Sequence, residues 1–460
     1  MIGRRRFATA MAAACLCWSA GPAAAQYSQP LFLEAARDPG RAEVAATARS
    51  LALGGAGPIS GVADDAVANP ASLVLGQGTD VVIAGGSVLF ARDELAVTPR
   101  QLPPWNPTRA TSLRSAIPRG YLALATRRPR WALAAFFDGT TRYRHKFETA
   151  SAELAFATVQ GVGFFRRGSG RASAAMSVER VGGAVAAAPW TGLVGVGVAA
   201  YAVRLDYRVS GNSEVETWTN TFTDLTFRYR FTTFELDRVQ FFDWATGVVV
   251  SGVVKPVRNV ALAGRWRHEP TFAARRELVA RQPGSVERFE GDVQFGLPDT
   301  YALTGTLSVG STVFATELAR TDYGEVFGPH SQANVSPFCE TLTTIHCPGW
   351  GFGSHRTADA TAWRAGIEHS LSLRRPTLRL RAGIAVEQAY TLARSAIDPS
   401  RTGGSLPAPP VVSPFEPPRQ SVRSLSFGAA YAWRRFEVGI GFAHAEHERH
   451  ILADFRMSID

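Results

Sequence analysis

Apolar and polar residues alternate with period two in segments of about ten residues, and the pattern recurs through most of this chain. Between Arg435 and His444, Phe436, Val438, Ile440 and Phe442 fall on one side and Arg435, Glu437, Gly439 and Gly441 on the other. Leu378, Leu380, Ile384 and Val386 oppose Arg379, Arg381, Gly383 and Glu387, and Trp363, Ile367, Leu371 and Leu373 oppose Arg364, Glu368 and Ser372. The final stretch sets Ile451, Phe455, Met457 and Ile459 against His450, Asp454, Arg456 and Ser458. Successive strand residues point to opposite faces, so the pattern predicts β-strands with two chemically different faces. Strands of a soluble sandwich run to about 5–6 residues, whereas a tilted membrane-crossing strand needs about 9–11.

The N-terminus reads as an export signal over residues 1–25. Arg4, Arg5 and Arg6 form a positive region, Phe7 to Trp18 an apolar one, and Ala23, Ala24 and Ala25 a small-residue cleavage site. Long alternating strands in an exported chain predict an all-β fold, a transmembrane antiparallel β-barrel in a bacterial outer membrane. Closure of such a barrel pairs every backbone polar group within lipid.

The connections agree with this reading. Tight turns are predicted at Arg127–Arg130, Arg166–Arg171, Lys255–Arg258, Gly310–Ser311, Arg374–Pro376 and Arg434–Arg435. Long loops are predicted at Ala91–Pro118, Thr321–Ala360 and Ala389–Gln420. Short turns on one rim and long loops on the other are the usual asymmetry of outer-membrane barrels, with the short rim in the periplasm. Pattern alone suggests sixteen strands, starting near Thr79, Pro118, Trp131, Phe156, Arg171, Thr191, Val215, Asp243, Asn259, Thr300, Thr312, Thr361, Thr377, Val422, Arg435 and Arg449. The apolar phase flips near Ala199, so Thr191 to Phe234 is the least regular region. Val181 to Val203 carries no charge, but Pro189 and five glycines argue against a helix, and the stretch reads as a loop followed by a strand.

Composition excludes several classes. The chain has 460 residues, 19% of them charged and 10% aromatic, with a net charge of +10. Disorder needs lower hydrophobicity and more charge, and a helical membrane protein needs many apolar runs of about 20 residues. The basic residues concentrate in short turns, and no nucleic-acid-binding signature accompanies them. No Gly-x-Ser-x-Gly elbow or His-Glu-x-x-His motif is present, so no enzyme is predicted and no cofactor is implied. His444, Glu446, His447, Glu448 and His450 resemble a metal cluster, but His444 and His450 would share a strand face opposite His447, and a loop between the last two strands fits better. Cys339 and Cys347 remain after signal cleavage, and an even pair in an exported chain implies a disulfide. The rival is a metal site with His346 or His355, which no Cys-x-x-Cys pair supports.

Residues 26–78 lack the alternation. They contain Leu53-Gly54-Gly55-Ala56-Gly57, then Ala63-Asp64-Asp65-Ala66, then Asn69-Pro70-Ala71-Ser72-Leu73. Asp65 suits the start of a short helix and Asn69-Pro70 its end. This block resembles the N-terminal hatch of FadL-type outer-membrane transporters. Phe295-Gly296-Leu297-Pro298-Asp299-Thr300-Tyr301 and Trp363-Arg364-Ala365-Gly366-Ile367-Glu368-His369 also resemble that family. The resemblance implies a 14-stranded barrel over residues 79–460, rather than sixteen, with residues 26–78 as a plug inside it. It further implies uptake of long-chain fatty acids or aromatic hydrocarbons, with outer-membrane lipid and lipopolysaccharide around the wall.

On this reading Gly54, Gly55, Gly57, Asn69 and Pro70 form the moving hatch. Arg364, Arg379 and Arg381 face inward, either as ligand head-group contacts or in pairs with carboxylates on neighbouring strands. The other reading is a non-transporting barrel with a structural, surface-assembly or secretion-partner role.

Overall fold

The computed structural model describes residues 45–57, 59–90, 94–97, 108–112, 116–159, 162–220, 226–229, 234–282, 285–322, 355–357, 359–372, 376–388, 392–394, 421–445 and 448–459. The signal segment, Cys339 and Cys347 lie outside them.

Fourteen antiparallel strands close into a barrel. They are β1 (Gly78–Phe90), β2 (Ala116–Arg128), β3 (Trp131–Val159), β4 (Val162–Trp190), β5 (Val194–Asn220), β6 (Phe234–Val257) and β7 (Val260–His268). There follow β8 (Asp299–Val309), β9 (Thr312–Asp322), β10 (Ala360–Ser372), β11 (Thr377–Gln388), β12 (Ser421–Trp433), β13 (Phe436–Ala445) and β14 (Glu448–Ser458). Each pairs with the next, and β14 pairs back onto β1 from Asp80↔Ser458 to Phe90↔Glu448.

The count of sixteen is corrected by two long strands. The starts expected at Phe156 and Val215 lie inside β3 and β5, which run for 29 and 27 residues. The turn expected at Arg166–Arg171 is likewise continuous strand in β4, with Arg166 opposite Leu154 and Thr217. The uncharged stretch from Val181 is strand as far as Trp190, not loop; β5 then starts at Val194.

The two faces are those the alternation predicts. Outward residues are large and apolar: Leu303 is 66% exposed, and Ile83, Leu122, Val185, Phe427 and Ile440 are exposed with it. This is the inverse of a soluble protein and suits contact with lipid hydrocarbon. Inward residues are small, polar or charged, among them Ala123, Ala125, Arg127, Arg180, Glu317, Arg364, Arg381 and Asp454.

The described turns Pro129–Arg130, Thr191–Leu193, Arg258–Asn259, Gly310–Ser311 and Arg434–Arg435 all lie on one rim. Gly310 and Arg434 take positive φ there, and the Arg434 guanidinium lies 4.9 Å from the Trp433 ring centroid. The other rim carries the long connections. It also carries a hairpin, Thr271–Gln282 with Ser285–Gly296, whose first strand pairs with the upper part of β6 while β7 pairs with the lower part. β3 to β6 continue past the other strands on this side. The last connection is short: β13 ends at Ala445 and β14 begins at Glu448, so His444 and Ala443 sit opposite Arg449 and His450. His444 is therefore on the outer face of β13 and His450 on the inner face of β14, with the connection expected between the last two strands reduced to the residues after Ala445 and before Glu448. Among the described residues no group of metal-ligating side chains forms.

The N-terminal segment enters the lumen. Helix α1 (Ala48–Ala52) and helix α2 (Asp65–Ala68) are followed by a 3-10 turn, Pro70–Leu75, which leads directly into β1.

Candidate functional site

The plug is held inside the barrel at two opposite walls, and each contact can be traced to particular residues. Thr47 caps α1 reciprocally with Ser50. The helix ends at Gly54 and Gly55, whose φ values of 73° and 83° are strained for any residue with a Cβ. The turn lies against glycines of four consecutive strands. A Cβ on Gly383 would sit 2.3 Å from the Gly54 nitrogen, and one on Gly441 2.4 Å from the Ala48 carbonyl oxygen. Gly366 and Gly428 meet Leu53 and Ala52 in the same way. Gly366 pairs with Gly383 and Gly428 with Gly441, so the four form a seam on β10 to β13. Gly57 differs: a Cβ there would meet nothing within 4 Å.

The second half of the plug docks across the lumen. α2 ends at Asn69, as Asn69-Pro70 predicts, and the Asn69 amide donates to the Asp65 carbonyl at 2.8 Å. Pro70 opens the 3-10 turn, where its missing N–H costs no hydrogen bond. The Ala71 amide donates to Ser251 Oγ on β6 at 2.8 Å, and Gly195 and Gly197 on β5 leave room for Val74 and Ala71. Wall side chains satisfy the plug's backbone. Arg127 Nη1 donates to the Gly61 carbonyl at 2.6 Å, Arg265 Nη1 to that of Ala68 at 3.0 Å, and Tyr121 Oη to that of Ala63 at 3.2 Å. Asp65 holds the intervening bend, accepting from Ser72 Oγ at 2.6 Å and the Gly61 amide at 2.8 Å. Burial pushes its carboxyl up to about 6, against the pull of those hydrogen bonds.

A chain of ion pairs joins plug to wall and returns to the plug. Arg49 on α1 grips Glu368 through Nε and Nη2, both at 3.1 Å. Arg381 donates to Glu368 Oε2 at 2.7 Å and to Glu437 Oε1 at 2.9 Å, and Arg379 also donates to Glu437. Arg456 lies 3.8 Å from Glu437 and donates to Asp64 of the plug at 2.8 Å. Arg127 and Asp80 extend the chain with a contact of 2.9 Å. A second chain runs on the same wall: Arg364 meets Glu317 at 2.7 Å and Glu387 at 2.9 Å.

Arg364, Arg379 and Arg381 are thus on the lumen wall: Arg364 pairs with carboxylates of both adjacent strands and Arg381 with Glu368 of one, whereas Glu437, the partner of Arg379 and also of Arg381, lies two strands away on β13. Gly54, Gly55, Asn69 and Pro70 all lie in the plug and touch or cap structure there. Cys339 and Cys347 lie outside the described residues. Sequence reading missed Arg49 and Asp64, because the plug has no period to mark a face. It quoted Glu437, Asp454 and Arg456 on the inner face without recognising them as partners.

No family model matches the chain, and no curated protein does. Solved structures do. The toluene transporter TbuX of Ralstonia pickettii aligns with a TM-score of 0.54 at 13% identity, over 90% of this chain and 98% of that one. A FadL homologue of Pseudomonas aeruginosa gives 0.53 at 11% identity with the same coverage, and the Pseudomonas putida toluene transporter TodX gives 0.51 at 13%. The fold is that of the FadL-type channels.

Within this FadL-type barrel one part of the inner wall is apolar rather than charged. On β5 the inward residues beyond the plug contact are Ala199, Tyr201, Val203 and Leu205, all buried. Phe136, Val178, Val249, Phe272 and Leu297 belong to the same cluster, which continues down to Ala66, Val67 and Leu73 of the plug. This part of the wall lies on the long-loop side of the plug. The phase flip near Ala199 is therefore a change of chemistry, not of backbone alternation. Val196 and Val198 face outward below it, while above it the outward positions carry Arg204, paired with Glu179 at 3.3 Å.

Proposed function

We propose that this protein is an outer-membrane channel for the uptake of hydrophobic small molecules, such as long-chain fatty acids or aromatic hydrocarbons, and that the N-terminal plug is its gate. The observation that carries the reading is the apolar stretch of inner wall beyond a plug held by ion pairs and glycine contacts. A solute bound there gains roughly 25 cal/mol for each Å² of apolar surface removed from water. The plug blocks onward passage until its contacts exchange. Gly54 and Gly55 at the α1 end, and Asn69 and Pro70 at the α2 end, are the points where the backbone changes direction and where such movement would be absorbed. Arg364, Arg379 and Arg381 would take a carboxylate head only by exchanging it for Glu317, Glu368, Glu387 or Glu437. The neighbours' names, toluene transporters and a FadL homologue, support the solute class.

The test is uptake of radiolabelled toluene and oleate by a Gram-negative host without a channel of its own. Expression should accelerate entry of at least one solute, and replacing Asn69 and Pro70 by Ala should alter that rate. Uptake at the vector level for both solutes would remove the proposal. One observation favours the rival partner-binding role. β3 and β4, at 29 residues each, are far longer than the about 9–11 that a crossing needs, and present backbone beyond the membrane. A barrel that transports nothing but retains a second protein through detergent extraction would support that reading.

A further inference from the structure

Resting on the uptake reading, we infer that Tyr201 and Glu269 form a polar subsite in the apolar part of the lumen, and that it selects neutral apolar solutes bearing a hydroxyl group. Arg180 stands at the centre of this region and is only 1% exposed. Its Nε and Nη2 both engage one oxygen of Glu269, Oε1, at 3.0 and 2.8 Å. Its Nη1 reaches Asp138 Oδ2 at 3.5 Å and Thr141 Oγ1 at 3.3 Å. The guanidinium is thereby fully engaged, but Glu269 is not: Oε2 has no hydrogen-bond partner among the described residues, although the residue is only 5% exposed. The hydroxyl of Tyr201, at 3% exposure, has none either.

The two groups belong to one neighbourhood: Tyr201 pairs with Gly247 on β6, His268 of β7 pairs with the adjacent Val248 and so brings Glu269 to the level of that glycine, and Arg180 pairs with Val203, two residues along from Tyr201. The Tyr201 ring is fixed over Gly247, where a Cβ would come within 2.5 Å of it, and meets Phe136 edge-on at 6.1 Å between centroids. Glu269 is fixed by Arg180 and by its own amide, which donates to Asp299 at 2.9 Å. Phe272, Leu297, Val249 and Leu205 are buried around them.

An acceptor and a donor, each buried without a partner in apolar surroundings, define the chemistry that fits. A buried unsatisfied polar group is costly, so a solute that satisfies both is favoured over one that satisfies neither. A hydroxyl does this alone: its O–H donates to Glu269 Oε2 and its oxygen accepts from Tyr201 Oη. A hydrocarbon leaves both unpaired. A carboxylate places a second negative charge beside Glu269. Arg180 already engages two carboxylates, Asp138 and Glu269, so an added anion would meet an excess of negative charge beside it.

Phenol, toluene and benzoate test this, because hydroxyl and methyl are close in size. Equilibrium dialysis of the radiolabelled compounds against the full protein in lipid nanodiscs, with empty nanodiscs subtracted, gives the affinities. Tyr201→Phe and Glu269→Gln should each weaken phenol by about tenfold and leave toluene within about twofold. Benzoate should bind the unmodified protein more weakly than phenol. Equal responses of phenol and toluene to the substitutions, or benzoate binding as tightly as phenol, would overturn the subsite alone. Failure of all three compounds to bind above empty nanodiscs would remove the uptake reading as well. Tyr201→Phe deletes a single oxygen, so it decides the matter if Glu269→Gln fails to fold.

Discussion

Glu368 holds two guanidinium groups at once, Arg49 from the plug and Arg381 from the wall. Both contacts are buried, so removing the carboxylate charge leaves two cations facing each other without the group that separates them. Breaking a buried pair by deleting one partner typically costs about 3–5 kcal/mol. Glu368→Gln should therefore release α1 from the wall before the barrel itself yields, seen as faster hydrogen exchange at residues 47–55 with strand exchange unchanged. Asp65 makes a second prediction. Its carboxyl titrates near 6 in the plug, above its ordinary value of 3.8, because burial disfavours the charge. The folded plug therefore binds a proton between these values that the undocked segment does not. The stabilisation is present below about 4 and is lost as pH rises through 6. Protection of residues 61–72, corrected for intrinsic rates, should be higher at pH 4.5 than at pH 7, and Asp65→Asn should abolish that difference. At this scale the sequence was half legible. Alternation identified Arg364, Arg379 and Arg381 as inward because a strand assigns each residue a face. Arg49 and Asp64 could be found only from their three-dimensional partners.

The glycine seam on β10 to β13 shows how an element is positioned by what its neighbours lack. The α1 end approaches backbone to backbone, so any side chain on Gly383 or Gly441 must push it away. Gly383→Ala should undock α1 and raise its hydrogen exchange, while Gly57→Ala, with open space around it and no strained φ, should leave exchange and thermal stability unchanged. That contrast separates two glycines that the sequence alone does not rank. Most strands were legible because one face meets lipid and the other a wet lumen. The errors fell in β3, β4 and β5, and in β5 the outer face passes from apolar to charged within one strand. There the apolar residues change sides while the backbone continues, and a reader expecting one polarity per strand breaks it in two. The outer pair Arg204 and Glu179, with exposed Trp244 opposite Arg204, marks that boundary on the wall.

For the molecule as a whole, the uptake proposal makes the plug the part that keeps a polar-lined tube from leaking. Among the described inward side chains charged groups are numerous, so a lumen without its plug should fill with water and ions. Deleting residues 45–77 should give stepwise ion conductance in planar bilayers, and the intact chain should show little. The fold class was legible from strand length and rim asymmetry, and the count of fourteen came from the resemblance rather than from pattern. The closing pair of strands has one further consequence. The plug precedes β1 in the chain, yet its partners Glu368, Asp454 and Arg456 lie in the last third, and the wall is completed only when β14 meets β1. Chains rarely thread through finished loops. The order of assembly is thereby set: the first segment made must wait inside a half-built enclosure for the last, and each molecule is sealed around its own beginning.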